Sequence, residues 1–226
     1  MPDHLQKGDT GKGGPRAGRW VLLGGCLLAA AGASFAPWVD RPPSALVLTA
    51  PDLAEFVKFL PEVRSGTLSV HRLLFLAPLF VVTLSLPLVV MSPRLAYAGW
   101  VRRLALALVV PLSLTLLPPV WSPSVLLSAE FRLQMMACVL CMALVVASRW
   151  LPHLPPRPLG SVLLCLWLAS PLLALWQFWA VHAAVASAYA SPIFPGWGAW
   201  ATVIGCGLMV VGWLVEAWKL GVRPGT

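Results

Sequence analysis

The chain has 226 residues, of which 59% are hydrophobic and only 11% are charged, and its mean hydropathy is +0.83. So little polar sequence cannot cover the surface of a water-soluble fold of this length, which excludes a soluble globular class. We expect the net charge of +8 to set membrane topology and to attract anionic lipid headgroups, and we expect no nucleic-acid partner.

Six apolar runs have roughly the 20 residues that a helix needs to cross a hydrocarbon core of about 30 Å. Each run is continuously apolar, whereas a strand of a membrane barrel alternates apolar and polar residues. The sequence therefore predicts an all-α, polytopic membrane helix bundle with six transmembrane helices. In chain order, the predicted spans are 20–38, 73–91, 104–121, 133–148, 161–188 and 197–218.

The basic residues fall mostly on one side of these six spans. Cytoplasmic loops carry an excess of Lys and Arg, so both termini are expected in the cytoplasm, with the bacterial plasma membrane as the location. The predicted organisation is a disordered basic cytoplasmic tail at 1–18, a transmembrane domain at 19–219 with an outer loop at 39–72, and a cytoplasmic tail at 220–226. The basic residues on the inner side are Lys7, Lys12, Arg16, Arg19, Arg94, Arg102, Arg103, Arg149, Arg157, Lys219 and Arg223; those on the outer side are Arg41, Lys58, Arg64, Arg72 and Arg132.

The outer loop contains its own helix signal. Thr49 followed by Asp52 is a variant of the capping box, and Pro51 is tolerated in a first helical turn. Apolar residues then recur at helical spacing from Leu53 until Pro61 ends the pattern. The prediction is a short amphipathic helix that lies along the outer membrane surface or covers the bundle, and the alternative is a packed turn over helix ends.

Small residues form ridges on the first and sixth spans. Gly25, Ala29 and Ala33 recur every four residues, and Ala201 and Gly205 repeat that spacing. Helices in a bilayer associate through close approach of such residues, so these faces are expected to pack against a neighbouring helix, in this chain or in a partner subunit.

The fifth span carries a group of polar and aromatic residues, Gln177, Trp179 and His182. Trp179 and His182 share a helix face because they are three residues apart, while Gln177 is offset. An imidazole beside aromatic rings can ligate a haem or a pigment, or hydrogen-bond a quinone. The alternative is an ordinary histidine near the membrane interface.

Cys138 and Cys141 form a C-x-x-C pattern in the fourth span, with methionines on both sides. Thiolate and thioether ligands suit Cu(I), and C-x-x-C also serves thiol exchange. Thiols in hydrocarbon ionise poorly, however, so the alternative is a pair of buried, inert cysteines.

The sequence contains no G-x-S-x-G, H-E-x-x-H, P-loop or dinucleotide fingerprint, and only eight residues are acidic. No catalytic residue is predicted. The format of six short helices resembles that of small transporter subunits. We therefore expect a non-catalytic polytopic membrane subunit, acting as a partner-binding component of a membrane complex or of a small-solute transporter. The alternative hypothesis is a redox or cofactor-binding membrane protein that holds haem, a pigment, a quinone or copper.

Overall fold

A computed structural model describes residues 17–40 and 47–221, which are mostly helical, with 74% helix and 2% strand. The predicted tails at 1–18 and 220–226 lie outside the described residues, except that residues 17, 18, 220 and 221 are helical. The α-helices of the described part are α1 (Ala17–Ser34), α2 (Ala50–Phe56), α3 (Pro61–Arg64), α4 (Ala77–Val90), α5 (Gly99–Leu114), α6 (Pro123–Leu126), α7 (Arg132–Val146), α8 (Pro156–Ala188) and α9 (Trp197–Gly221).

Four helical segments are long and apolar enough to cross a membrane: Ala17–Ser34, Arg132–Arg149, Pro158–Ala188 and Trp197–Trp218. This confirms the prediction of a helical protein with transmembrane segments, but not the count of six. The second and third predicted spans correspond to α4 and α5, which have 14 and 16 residues. At 1.5 Å per residue these helices are about 21 and 24 Å long, which is less than the hydrocarbon thickness of about 30 Å.

The small residues predicted to pack lie in the contact between α1 and α9. A β-carbon built on Gly25 would lie 2.6 Å from the carbonyl oxygen of Gly205, and one built on Gly205 would lie 2.7 Å from the carbonyl oxygen of Gly25. Ala29 and Ala33 are fully buried, and Ala201 is 9% exposed. The two ridges therefore pack within this chain.

The first helix ends four residues earlier than predicted, so the prediction that it extends to Trp38 is wrong. Pro37 disfavours helical backbone in the residue before it. Trp38 is buried beyond the helix end, where its indole N–H donates to the carbonyl of Gly32 at 3.1 Å. The backbone N–H of Trp38 donates to the carbonyl of Leu48 at 2.7 Å, and the carbonyl of Trp38 accepts from the backbone N–H of Gly196 at 2.7 Å.

The loop after α1 contains a pair of short antiparallel strands that the sequence did not predict, β1 (Val39–Asp40) and β2 (Val47–Leu48). The predicted loop helix is confirmed as α2, followed by a 3-10 turn at Val57–Phe59. We call residues 50–60 the α2 segment. Thr49 and Asp52 form the complete capping box. The apolar side of this segment is buried, so it packs over the ends of the bundle helices; the buried residues are Ala50, Leu53, Ala54, Val57 and Leu60.

We call the end of the bundle under α2 the loop end and the opposite end the terminal end. At the terminal end, the backbone N–H of Arg19 donates to the Glu216 carboxylate of α9 at 3.2 Å. The Arg19 guanidinium donates to the carbonyl of Ala96 at 3.1 Å, and the Tyr97 hydroxyl donates to the carbonyl of Arg19 at 2.5 Å. The connection between α4 and α5 is thereby tied to the first and last helices.

Gly24 and Gly25 provide a matched pair for testing the packing of α1 against α9. A β-carbon on Gly24 would have no neighbour within 4 Å, whereas one on Gly25 would collide with the α9 backbone. We expect Gly25→Ala to destabilise the protein by about 1–3 kcal/mol, because backbone atoms must move apart to admit the methyl group. Gly24→Ala is the control and should leave stability unchanged or slightly raised. Thermal unfolding in detergent measures the difference, and equal midpoints for the two variants would contradict the packing.

Candidate functional site

A cluster of four charged residues lies at the loop end and joins three parts of the chain. Lys58 contacts the carboxylates of Glu55 at 2.6 Å and Glu130 at 2.7 Å. Arg72 contacts Glu55 at 2.6 Å and also donates to the backbone carbonyl of Glu130 at 2.8 Å. This charged cluster, defined as Glu55, Lys58, Arg72 and Glu130, ties the α2 segment to the starts of α4 and α7.

The ring of Phe131 packs against both cations of the charged cluster. The Lys58 ammonium lies 5.0 Å from its ring centroid, and the Arg72 guanidinium lies 4.9 Å from it. Phe131 is 9% exposed, so both cations face an aromatic ring at the boundary of the apolar interior. Cation–π contact adds to the ion pairs in holding this corner together.

The ion pairs change the pKa values of two members of the charged cluster. Partial burial alone would lower the pKa of Lys58, but hydrogen bonds from its ammonium group to Glu130 and Glu55 outweigh burial and raise it above its usual value. The hydrogen bond from Lys58 also lowers the pKa of Glu130 below its usual value. Both residues are therefore charged at neutral pH.

A cleft of about 540 Å³ opens beside the α2 segment, along its less buried face. Its walls are mostly apolar, and its polar side chains are Asp52, Glu55, Thr115 and Gln134. The remaining lining residues come from β2, the α2 segment, the start of α4 and the chain after α5: Val47, Leu48, Pro51, Phe56, Phe59, Leu76, Leu116, Leu117, Pro118 and Pro119. Its volume falls within the range of small-molecule sites.

A second cavity of about 160 Å³ adjoins the cleft, sharing the lining residues Leu76, Leu116 and Gln134 with it. We call it the side chamber. It lies between α4 and α7, and Gln134 is the single polar residue that lines it; the other lining residues are Leu73, Ala77, Phe80, Leu133 and Ala137. Gln134 thus lies at the junction of the two spaces.

Gln134 is a buried polar group whose hydrogen bonding is incomplete. The residue is 5% exposed, and its side-chain oxygen has no hydrogen-bond partner among the residues that the structure describes. An unsatisfied buried polar group costs about 1–3 kcal/mol. The amide offers one acceptor and two donors, so a molecule in the cleft with a hydroxyl or amide could satisfy it.

The structure brings together two of the three residues predicted in the fifth span. The rings of Trp179 and His182 are in edge contact with centroids 5.2 Å apart, and Trp179 is 48% exposed. Gln177 is 1% exposed on the inner side of α8, where its oxygen accepts from the backbone N–H of His71 at 3.3 Å. Gln177 therefore anchors the loop before α4 instead of completing a site with the other two.

Cys138 and Cys141 are free thiols on the buried side of α7, with exposures of 5% and 0%. Among residues 17–40 and 47–221, no group of three or more His, Cys, Asp or Glu side chains is placed to hold a metal ion. Neither cysteine lines the cleft or the side chamber. A copper or redox role for the pair stays a prediction.

The sequence reasoning missed Gln134 and the pairing within the charged cluster. Gln134 precedes Cys138 by four residues and Cys141 by seven, so all three lie on one helix face, and this spacing was the available signal. The ion pairs join residues up to 72 positions apart, which no local pattern reveals.

Comparison with protein-family models, curated proteins and solved structures finds no match for this chain. Its function is therefore argued from the geometry of the cleft and of the helices around it.

Removing one carboxylate from the charged cluster should loosen the α2 segment. We expect Glu130→Gln to weaken its attachment by about 0.5–1 kcal/mol, a small value because the Glu130 side chain is 49% exposed. Amide hydrogen exchange of residues 50–60 should become faster by about two- to fivefold. Arg132→Gln is the control, since it removes an exposed charge at the same helix end and should leave this exchange unchanged.

In the unchanged protein, the hydrogen exchange of residues 50–60 should depend on pH. Because the pKa of Glu130 is lowered in the folded state, its contribution is present at neutral pH and is lost as the pH falls through that lowered value. The raised pKa of Lys58 preserves its contribution up to alkaline pH. If acid accelerated the hydrogen exchange of residues 50–60 equally in the Glu130→Gln variant, the assignment of this pH dependence to Glu130 would be contradicted.

Proposed function

We propose that this protein is a non-catalytic, six-span membrane subunit that binds a small molecule in the cleft beside α2. It would act as a component of a transporter or of another membrane complex in the bacterial plasma membrane, with both termini in the cytoplasm and the loop end outside. The single observation that carries the proposal is the apolar cleft, whose floor holds the buried, unpaired oxygen of Gln134.

The ends of α4 and α5 support six spans in spite of the modest length of these helices. Arg72, just before α4, belongs to the charged cluster at the loop end, and the connection after α4 is bound by Arg19 at the terminal end. Thr115, just after α5, lines the cleft back at the loop end. Both helices therefore run between the two ends that α1 and α9 also connect.

The charged side chains favour binding over catalysis. Each of the two carboxylates beside the cleft is engaged: Glu55 pairs with Lys58 and Arg72, and Asp52 accepts from the backbone N–H and hydroxyl of Thr49. General acid–base chemistry requires a group free to exchange a proton with its substrate. These pairings leave the cleft walls as a binding surface.

Six spans and four spans place the connection between α4 and α5 on opposite sides of the membrane. In a background with the exposed Cys165 changed to Ala, we expect a membrane-impermeant maleimide to label Leu127→Cys in intact cells. Ala98→Cys should be labelled only after the membrane is opened. Both positions are exposed in the structure. Labelling of Ala98→Cys in intact cells would contradict six spans.

Native mass spectrometry of the protein, gently extracted from its own membrane, tests the binding function. We expect a bound small molecule, with or without partner subunits, and we expect Leu117→Trp to lose that molecule because a large ring would fill the cleft. Leu114→Trp is the matched control, since Leu114 lies just before the cleft-lining residues 115–119 and does not itself line the cleft. A bare monomer for every variant, with no uptake of added solutes, would contradict the proposal.

The alternative, a cofactor-binding membrane protein, is favoured by the contact between the half-exposed Trp179 and His182. The same mass spectra separate the two functions. A bound haem, pigment or metal that survives Leu117→Trp but is lost in His182→Ala would favour the alternative.

A further inference from the structure

We infer that the ligand of the cleft is an uncharged amphiphile, with one hydroxyl or amide headgroup and an apolar body, that enters sideways from the bilayer. This inference rests on the proposed function, because it names the chemistry of the molecule in the same cleft. It follows from the hydrogen bonding, the charge and the openings of the two cavities.

The cleft offers the ligand one principal hydrogen-bonding position. Thr115 donates its hydroxyl to the carbonyl of Leu112 at 2.8 Å, and Asp52 and Glu55 are engaged as described above. Among the described lining residues, Gln134 alone has a buried side-chain oxygen without a partner. A ligand with a single polar group fits this arrangement, whereas a sugar or a peptide would bring several polar groups against apolar walls.

The charges around the cleft disfavour an anionic headgroup. Two carboxylates line its mouth, and they would repel a phosphate or another carboxylate. In the described part of the chain, the cations that contact Glu55 are Lys58 and Arg72, and both are also held by Glu130. Among the described residues, no cationic side chain lines the side chamber, so an anion at Gln134 would be desolvated without a counter-ion.

The side chamber provides the route from the bilayer. It lies between α4 and α7, and one of its lining residues, Leu133, is 60% exposed on the outer surface of α7. Met136, the next turn along, is equally exposed. These side chains cover a surface that faces lipid when α7 crosses a membrane. An apolar tail can therefore lie in the side chamber while the headgroup reaches Gln134.

Photocrosslinking of the full-length protein in lipid nanodiscs tests this inference. The probe is a long-chain fatty alcohol that carries a diazirine, compared with the fatty acid and the alkyl phosphate of the same chain. We expect the alcohol to label peptides that line the side chamber, above all those with Leu76, Phe80 and Leu116. The two anionic probes should label them several-fold less.

Two variants separate specific binding from general contact with lipid. Gln134→Leu should lower cleft labelling by about five- to tenfold through loss of the hydrogen bond, and Ala137→Phe should block the side chamber. Ala143→Phe is the matched control, because it places the same ring on an exposed site of the same helix. Thermal unfolding of each variant shows whether it is folded, and the inference is judged on folded variants.

The outcomes distinguish this inference from the proposed function. Equal labelling by the alcohol in the unchanged protein, Gln134→Leu and Ala137→Phe would overturn the inference. If native mass spectrometry then shows a water-soluble molecule that Leu117→Trp displaces, the proposed function stands with a different ligand. If the cleft holds neither kind of molecule, both fail.

Discussion

Close backbone contact between α1 and α9 is the constraint on which the rest of the structure depends. Helices in a bilayer gain little from burying apolar surface against one another, so van der Waals contact at short range has to hold them. Gly25 and Gly205 permit that contact because neither has a β-carbon. The pairing joins the beginning and end of the described chain, and at the loop end it sets the residues around Trp38 against the start of α9. The hydrogen bond from Trp38 to Leu48 then fixes β2, from which α2 begins two residues later.

Helix α7 is held differently. The buried residues of α7 are Gln134, Cys138 and Cys141, which form one narrow stripe, so this helix has a single packed face. Its attachment to α2 depends on ion pairs with Lys58 and Arg72 and on their contacts with Phe131. Ion pairs at a partly exposed site contribute less than close packing does. One wall of the cleft is formed by β2 and the α2 segment, which the pairing of α1 with α9 holds in place. Gln134 of α7 lies on the other wall, which weaker contacts attach, and such a cleft is suited to admitting a ligand.

Local patterns predicted what local physics determines. The capping box at Thr49 and the four-residue spacing of small residues on α1 and α9 both describe contacts that their own helices present, and both appear in the structure. The contact of Trp38 with Gly196 and the charged cluster join residues far apart in sequence, and neither was predicted. The β1–β2 pair is local, and it was not predicted either. The polar group predicted in the fifth span also did not predict where the cleft lies. Gln177 proved to be an anchor for His71, while the cleft formed around Gln134, which belonged to no recognised motif.

The two buried glutamines show why one of them is interpreted as part of a binding site. Gln177 and Gln134 are 1% and 5% exposed, and each belongs to a helix long and apolar enough to cross a membrane. The oxygen of Gln177 accepts a hydrogen bond from the backbone of His71 in the loop before α4, which gives it a structural role. The oxygen of Gln134 has no such partner in the described part of the chain, and the residue lines two adjoining cavities. A structural amide stabilises the fold through the partner that it binds, whereas an unpaired amide beside a cavity destabilises the empty protein and can recover that free energy when a ligand binds.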